Sequence, residues 1–410
     1  MIRIDEIYNN TFWPWFKQHR PGTRLFFCDP FGQTDSDHLF NLGCDDTIEN
    51  DYVYLHDQEP VHLALHETLF RDVIIRNFDL RLNRPSSNPE IHWPDNLKAE
   101  FLLYRQHSDD IAGFFTARPA ETKKFIKLNR HILQGHIVVS ERGEYVDELA
   151  AEYGFKTHYY FFHAWACQDW FRGYDRTFLI ARARDRRPKK TFMSPNRIVA
   201  GKRDHRVLFL YNVFKNNLEN NHISAPRTCQ YEGVDISEIA SKYCNIYPDI
   251  EQVFAQAELP RLFSGETDQL MHSYQLGNFA EAADSLIYVP TETVYYGRRQ
   301  HLTEKTFKAI ALEMPFVLVA PYGSLAYLRE YGFQTFAPYI DESYDLIEDP
   351  VLRIEAVTHI LLELQARSAA ARAEFWQDIL PIVEHNRNHF YSGGLSAVLW
   401  RELTDMLQEF

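Results

Sequence analysis

The chain has 410 residues, 45% apolar and 24% charged, a globular composition that excludes a disordered chain and exceeds what one ordinary core accommodates. Its formal net charge of −14 excludes a general nucleic-acid binder built on a basic face, though not a local basic groove. Aromatic residues reach 15%, with 30 Phe and 23 Tyr, more rings than one cleft can hold, so most are assigned to the core.

The opening residues, MIRIDEIYNN, lack the basic and apolar regions of a signal peptide. No apolar stretch approaches the roughly 20 residues of a membrane span, so a soluble, cytoplasmic protein is expected. In chain order, 23–30 and 51–57 read as strands and 99–106 as a weaker one. The Pro- and Asn-rich segment 83–95 reads as a loop. A strand at 136–140 precedes a helix whose Val146, Leu149, Ala150 and Tyr153 mark one face, and 156–166 adds another apolar run. Five cysteines, Cys28, Cys44, Cys167, Cys229 and Cys244, form no CxxC pair and indicate neither a disulfide framework nor a zinc site.

The segment 181–206 is strongly basic within an acidic protein, and 182–190 is the predicted domain boundary. KTFMSPN (190–196) then reads as a strand. Asp204 is the expected N-cap of a helix whose Val207, Leu210, Tyr211, Phe214 and Leu218 form an apolar stripe. HISAPR (222–227) gives a further strand. In 285–336, SLIYVP is a strand, Thr303 caps a helix through Leu312, and FVLVA is a second strand. Ser324 caps a short helix that stops at Gly332, and FQTF is a third strand. Helices at 348–366, 368–386 and 396–408 follow. The predicted fold class is α/β: two Rossmann-like domains, 1–185 and 186–385, with a C-terminal helix at 386–410.

Parallel sheets bind ligands beyond the carboxyl ends of their strands. Two loops there carry charge: Thr291, Glu292, Thr293, Arg298, Arg299, Glu304 and Lys305 in one, Arg197, Lys202, Arg203 and Arg206 in the other. The second loop opens a helix, whose N-terminus favours a phosphate. Tyr295 and Tyr296 are candidates to stack on a base, with Ser194 and Asn196 as weaker choices for the same pocket. In the first half, the strand 51–55 ends at His56, Asp57, Gln58, Glu59 and Pro60. Carboxylates in that place face a cleft, so Glu59, then Asp57, are the candidate general bases. His163 and Trp165 are candidate acceptor-side residues. The acidic run 341–345 lacks DxD spacing and reads as a polar turn, so no metal is expected.

Thr303, Glu304 and Lys305, in their strand–loop–helix frame and followed by the Pro-initiated strand 315–320, resemble an element of α1,3-fucosyltransferases. The wider pattern over 190–345, LTEKTF…PF…GSL.YLR..GF.TF…DESYD, is similar to glycosyltransferase-like proteins of phages and bacteria. The resemblance implies a GT-B fold and an inverting, metal-independent transfer from a nucleotide sugar, with no other cofactor. It assigns the donor ribose to Glu304, a phosphate to Lys305 and the base to Glu59. A further phosphate-binding Arg aligns best with Arg206, with Arg203 and Arg197 left open. The acceptor would be a saccharide or a modified nucleobase in phage DNA, the latter meeting the basic segment 182–206. The alternatives are a non-catalytic nucleotide- or sugar-binding protein, or another two-domain sugar-nucleotide enzyme such as an epimerase, in which Glu292 and Asp57 do acid–base work.

Overall fold

A computed structural model of the chain describes residues 4–21, 23–28, 39–41, 52–56, 75, 91–94, 96–130, 135–174, 186, 188–229, 232–263 and 275–410. Asp57, Glu59 and, of the basic segment, 181–185 and 187 lie outside them. The chain divides into two compact units, the first Ile4–Phe162 with Arg401–Phe410, the second His163–Trp400. Among the described residues no helix is long and apolar enough to cross a membrane.

The first unit is built on β1 (Arg24–Cys28), β2 (Leu39–Asn41), β3 (Tyr52–His56), β4 (His136–Val139) and β5 (Lys156–Tyr159), in the order β2-β1-β3-β4-β5. Only β2 is antiparallel to its neighbour. Val53, Tyr54, Leu55, Ile137, Val138 and Val139 are all buried, as expected when both faces of a parallel sheet are covered. One face packs a ring-rich cluster that includes Phe101, Phe114, Phe115, Phe125 and Tyr153. Around this sheet run α1 (Trp13–His19), α2 (Leu97–Tyr104) and α3 (Glu144–Tyr153). In α3 the expected face holds, with Val146, Leu149 and Tyr153 buried.

The weak strand at 99–106 is corrected to α2: Leu97 and Phe101 are buried one helical turn apart, while Leu102 and Leu103 are exposed. The last residues return to this unit. The Glu402 carboxylate accepts from the backbone N–H of Phe161 at 2.6 Å, and the Phe410 ring stacks on His158 at 3.9 Å.

The second unit begins with α4 (Phe162–Trp170) from His163 onward. It contains β6 (Lys190–Pro195), α5 (His205–Lys215), β7 (His222–Ser224), β8 (Ser285–Tyr288), α6 (Glu304–Ala311) and α7 (Ser324–Glu330). Three long helices follow: α8 (Pro350–Ala366), α9 (Ala369–Tyr391) and α10 (Gly394–Gln408), of which the residues from Arg401 on belong to the first unit. The sheet is parallel, in the order β7-β6-β8. The run 315–320 lies beside β8 through single parallel bridges, Tyr288 to Phe316 and Thr291 to Val319. The rung between them is missing because Pro290 has no N–H to donate.

The boundary expected at 182–190 falls instead at 162/163. Gln168 on α4 donates to the Phe390 carbonyl at 2.7 Å and accepts from Ser396, and Trp165 packs edge-on against Trp400. A charge run marks solvated chain, whereas a boundary follows the change of core. Within the run, Arg186 is buried over Trp376.

Three further expectations change. Asp204 is already helical and makes no side-chain cap; its carboxylate accepts from the Tyr296 hydroxyl at 2.7 Å. Gly323, with φ +77°, precedes α7 in place of a Ser324 cap. FQTF forms no strand: the Gln334 N–H and carbonyl pair with the side-chain amide of Asn386, each at 2.8 Å.

Candidate functional site

In the second unit, the chain leaves β6 for β7 on one side and later reaches β8 on the other. That reversal makes the carboxyl ends of β6 and β8 the place where an open parallel sheet takes a ligand. The two ends are latched by buried polar residues. Ser194 donates to the Val289 carbonyl at 2.8 Å, Asn196 to Ser194 Oγ at 3.1 Å, and Thr291 to Asn196 Oδ1 at 2.9 Å. Ser194 and Asn196, both 0% exposed, thus serve the sheet rather than line a pocket.

Glu292 is also fully buried, and its carboxylate builds the start of α6. It accepts from the hydroxyls of Thr303 and Thr306 at 2.6 Å each, and from the backbone N–H groups of Thr293, Thr303 and Thr306 at 3.2–3.3 Å. Thr303 caps α6 as expected. With its oxygens so engaged, Glu292 positions the helix and does not face a donor.

Arg206 is corrected in the same way. Its guanidinium donates to the carbonyls of Ile198 and Thr291 at 2.8 Å and of Glu292 at 3.2 Å. Burial, with Arg203 nearby, brings its pKa down to about 9. Arg206 is therefore an internal clasp, whereas Arg203 and Arg197 are each half-buried.

Glu304 and Lys305 open α6 in the expected place. The Lys305 ammonium donates to Glu304 Oε1 at 2.8 Å, Thr293 Oγ1 at 3.0 Å and Thr303 Oγ1 at 3.1 Å. Burial would raise the Glu304 carboxyl, but the Lys305 and Lys308 ammoniums hold it well below the usual carboxylate range. Lys308, one turn on, is buried in the field of Glu304 and Lys305, and its ammonium makes no hydrogen bond or ion pair among the described residues; burial lowers its pKa. Two ammoniums, Lys305 and Lys308, thus stand where α6 begins, with the carboxylate of Glu304 bonded to the first and that of Glu292 enclosed by the threonines.

His163 on α4 joins this cluster. Its ring lies edge-on to His301 at 4.9 Å, and burial, with His301 beside it, drives its pKa well below 6.5. Trp165 is a core residue, 1% exposed and packed on Trp400. Tyr295 is likewise core: its hydroxyl donates to the Pro350 carbonyl at 2.5 Å, His205 stacks on its ring at 4.7 Å, and Arg353 lies over it. Neither Trp165 nor Tyr295 can offer a ring face to a ligand. Tyr296, half-buried, bonds Asp204 and meets the Tyr243 hydroxyl at 3.3 Å. The run 341–345 is a polar turn, as expected: Asp341 accepts from the Ser343 N–H and Asp345 from the Leu325 N–H. Among the described residues no group of three or more His, Cys, Asp or Glu is placed to hold a metal.

Sequence reasoning passed over Lys308, Thr306 and His301. The first two were visible as TEKTFK, where Lys308 follows Lys305 by one turn and so shares its face.

No protein-family model matches the sequence, and no curated protein does. Among solved structures, the chain is similar to trehalose-6-phosphate synthase OtsA, at 14% identity over 85% of this chain and 72% of that one, with a TM-score of 0.35. It is similar to a second trehalose-6-phosphate synthase, studied with bisubstrate glycomimetics, at 16% identity over 86% and 74%, with a TM-score of 0.37. A third is a UDP-forming α,α-trehalose-phosphate synthase from Burkholderia xenovorans in complex with glucose-6-phosphate, at 13% identity over 86% and 75%, with a TM-score of 0.35.

Proposed function

We propose that the protein is a glycosyltransferase of GT-B type that moves a sugar from a nucleotide-activated donor to an acceptor hydroxyl. The observation that carries the reading is the Glu304, Lys305 and Lys308 cluster at the start of α6, beside the reversal of strand order. A carboxylate there suits the donor ribose, and a pair of ammonium groups suits a diphosphate. In the transfer, the bond from the anomeric carbon to the phosphate oxygen breaks, and the nucleoside diphosphate leaves with the electron pair. Lys305, Lys308 and Arg203 or Arg197 stabilise its charge, which needs no metal. The acceptor oxygen bonds the anomeric carbon, and its proton passes to a base. For an inverting course that base is Glu59 or Asp57. The acceptor is a saccharide or a modified nucleobase in phage DNA.

The test is a thermal-shift screen of nucleoside diphosphates and nucleotide sugars, since a ligand of the native state raises the melting temperature. A shift with one nucleotide series, followed by slow hydrolysis of its sugar donor, supports the reading. No shift with any nucleotide overturns it. Binding without hydrolysis or transfer favours a non-catalytic binding protein.

A further inference from the structure

Lysine has three N–H donors and no acceptor, and all three of Lys305 are engaged by oxygens of this chain: Thr293 Oγ1, Thr303 Oγ1 and Glu304 Oε1. A phosphate gains one of these donors only by displacing an oxygen already there. The threonines are held: the Thr303 hydroxyl donates to the buried Glu292 carboxylate, and the Thr293 N–H does the same. Glu304 is the partner with no other hydrogen bond to hold it: its side chain is 10% exposed, and Lys305 is its one hydrogen-bond partner among the described residues.

We propose that Glu304 is a built-in competitor for phosphate at Lys305, drawn off by the vicinal hydroxyls of a ribose. The site then takes a ribonucleoside diphosphate in preference to bare pyrophosphate or a 2′,3′-dideoxy analogue. This deepens the functional reading above and rests on it. A phosphate arriving alone breaks a charge-assisted bond and meets a carboxylate that stays ionised. A ribose supplies two hydroxyl donors to that carboxylate, so Lys305 is released as the phosphate arrives. The two halves of the ligand therefore bind with positive coupling, and the coupling is reciprocal.

The experiment is titration calorimetry on the full chain with inorganic pyrophosphate, ribonucleosides, their diphosphates and the dideoxy analogues. Glu304→Gln removes the competing charge and keeps the shape. It is expected to tighten pyrophosphate by about tenfold, the scale of one hydrogen bond to a charged group, and to erase discrimination between ribo- and dideoxy-diphosphates. In the wild type, a saturating ribonucleoside should tighten pyrophosphate severalfold and a dideoxynucleoside should not, which decides the matter if Glu304→Gln does not fold. Lys305→Met should lose pyrophosphate in both backgrounds. Unchanged or weaker pyrophosphate binding in a folded Glu304→Gln overturns the competition, as does its absence from both backgrounds. If no nucleotide or nucleoside binds yet Glu304→Gln tightens pyrophosphate, the functional reading falls and the competition stands. If nucleotides bind and the pyrophosphate affinity does not change, the reverse holds.

Discussion

Arg206 and Glu292 hold each other's loops from opposite ends. The Arg206 guanidinium, in the first turn of α5, donates to the Glu292 backbone carbonyl at 3.2 Å. The carboxylate of Glu292 in turn accepts from both threonines of the α6 start. The strand-to-helix junctions after β6 and β8 are thereby one polar unit, and Lys305 is held within the second by Thr293, Thr303 and Glu304.

Arg206→Met should lower stability and leave phosphate contacts intact. The carbonyls of Ile198 and Thr291 lose this donor, while that of Glu292 keeps His205 Nε2 at 3.1 Å, a cost of about 2–4 kcal/mol after relaxation, read as a lower denaturation midpoint. Lys305→Met should weaken a nucleoside diphosphate by about tenfold or more, and it should also lower the midpoint, because the buried Glu304 carboxylate loses its bonded cation. Weaker binding at unchanged stability in Arg206→Met would return that guanidinium to the ligand.

Glu292→Gln should loosen Lys305 without touching a ligand. The amide cannot accept from every donor that the carboxylate now satisfies, so the Thr303 hydroxyl and the ammonium it holds lose their anchor. Residue-resolved acetylation by mass spectrometry should find Lys305 reacting several times faster than in the wild type. Thr293→Val removes a single acceptor of Lys305 and should give a smaller increase. An unchanged Lys305 rate in both variants would end the positioning role.

Glu59→Gln should lower turnover by about 10²–10⁴-fold while donor binding survives, since the amide keeps the shape and loses the proton-accepting charge. Asp57→Asn is the paired measurement. Loss in that variant alone moves the base by two residues. Full activity in both excludes a base at the end of β3.

Acid should weaken the fold through His205. Burial, with Arg206 beside it, sets its pKa well below 6.5, so the folded chain keeps it neutral while the unfolded chain protonates it near that value. The folded-state pKa is depressed, so the stability it carries is present above about pH 6.5 and is lost as pH falls below it. The slope reaches at most about 1.4 kcal/mol per pH unit for one histidine. His163 acts with the same sign. Denaturation midpoints at pH 7.5 and 5.5 should differ less in His205→Gln than in the wild type.

Much of the second unit was legible because its signals are local. Apolar runs gave β6 and β8, Thr303 gave the start of α6, and TEK placed Glu304 and Lys305 at a strand-to-helix junction. The direction in which a polar side chain turns was not legible. Arg206 and Arg203 are close in sequence, yet one meets three carbonyls and the other is half-buried. Glu292 and Glu304 are both carboxylates near one helix start, but the first is enclosed by donors that arrive from residues 293 to 306. Tyr295 was misread because its neighbours His205, Pro350 and Arg353 are distant in sequence. Each of these outcomes depends on which strands become adjacent, and periodicity carries no such information.

The return of residues 401–410 to the first unit affects biosynthesis. The sheet β1 to β5 is encoded within the first 159 residues, yet Glu402 and Phe410 cover Phe161 and His158 at its end. A growing chain on the ribosome therefore carries that end of the unit uncovered while all of the second unit is made. At about 5–20 residues per second, the interval is tens of seconds, long enough for an exposed apolar sheet end to need shelter.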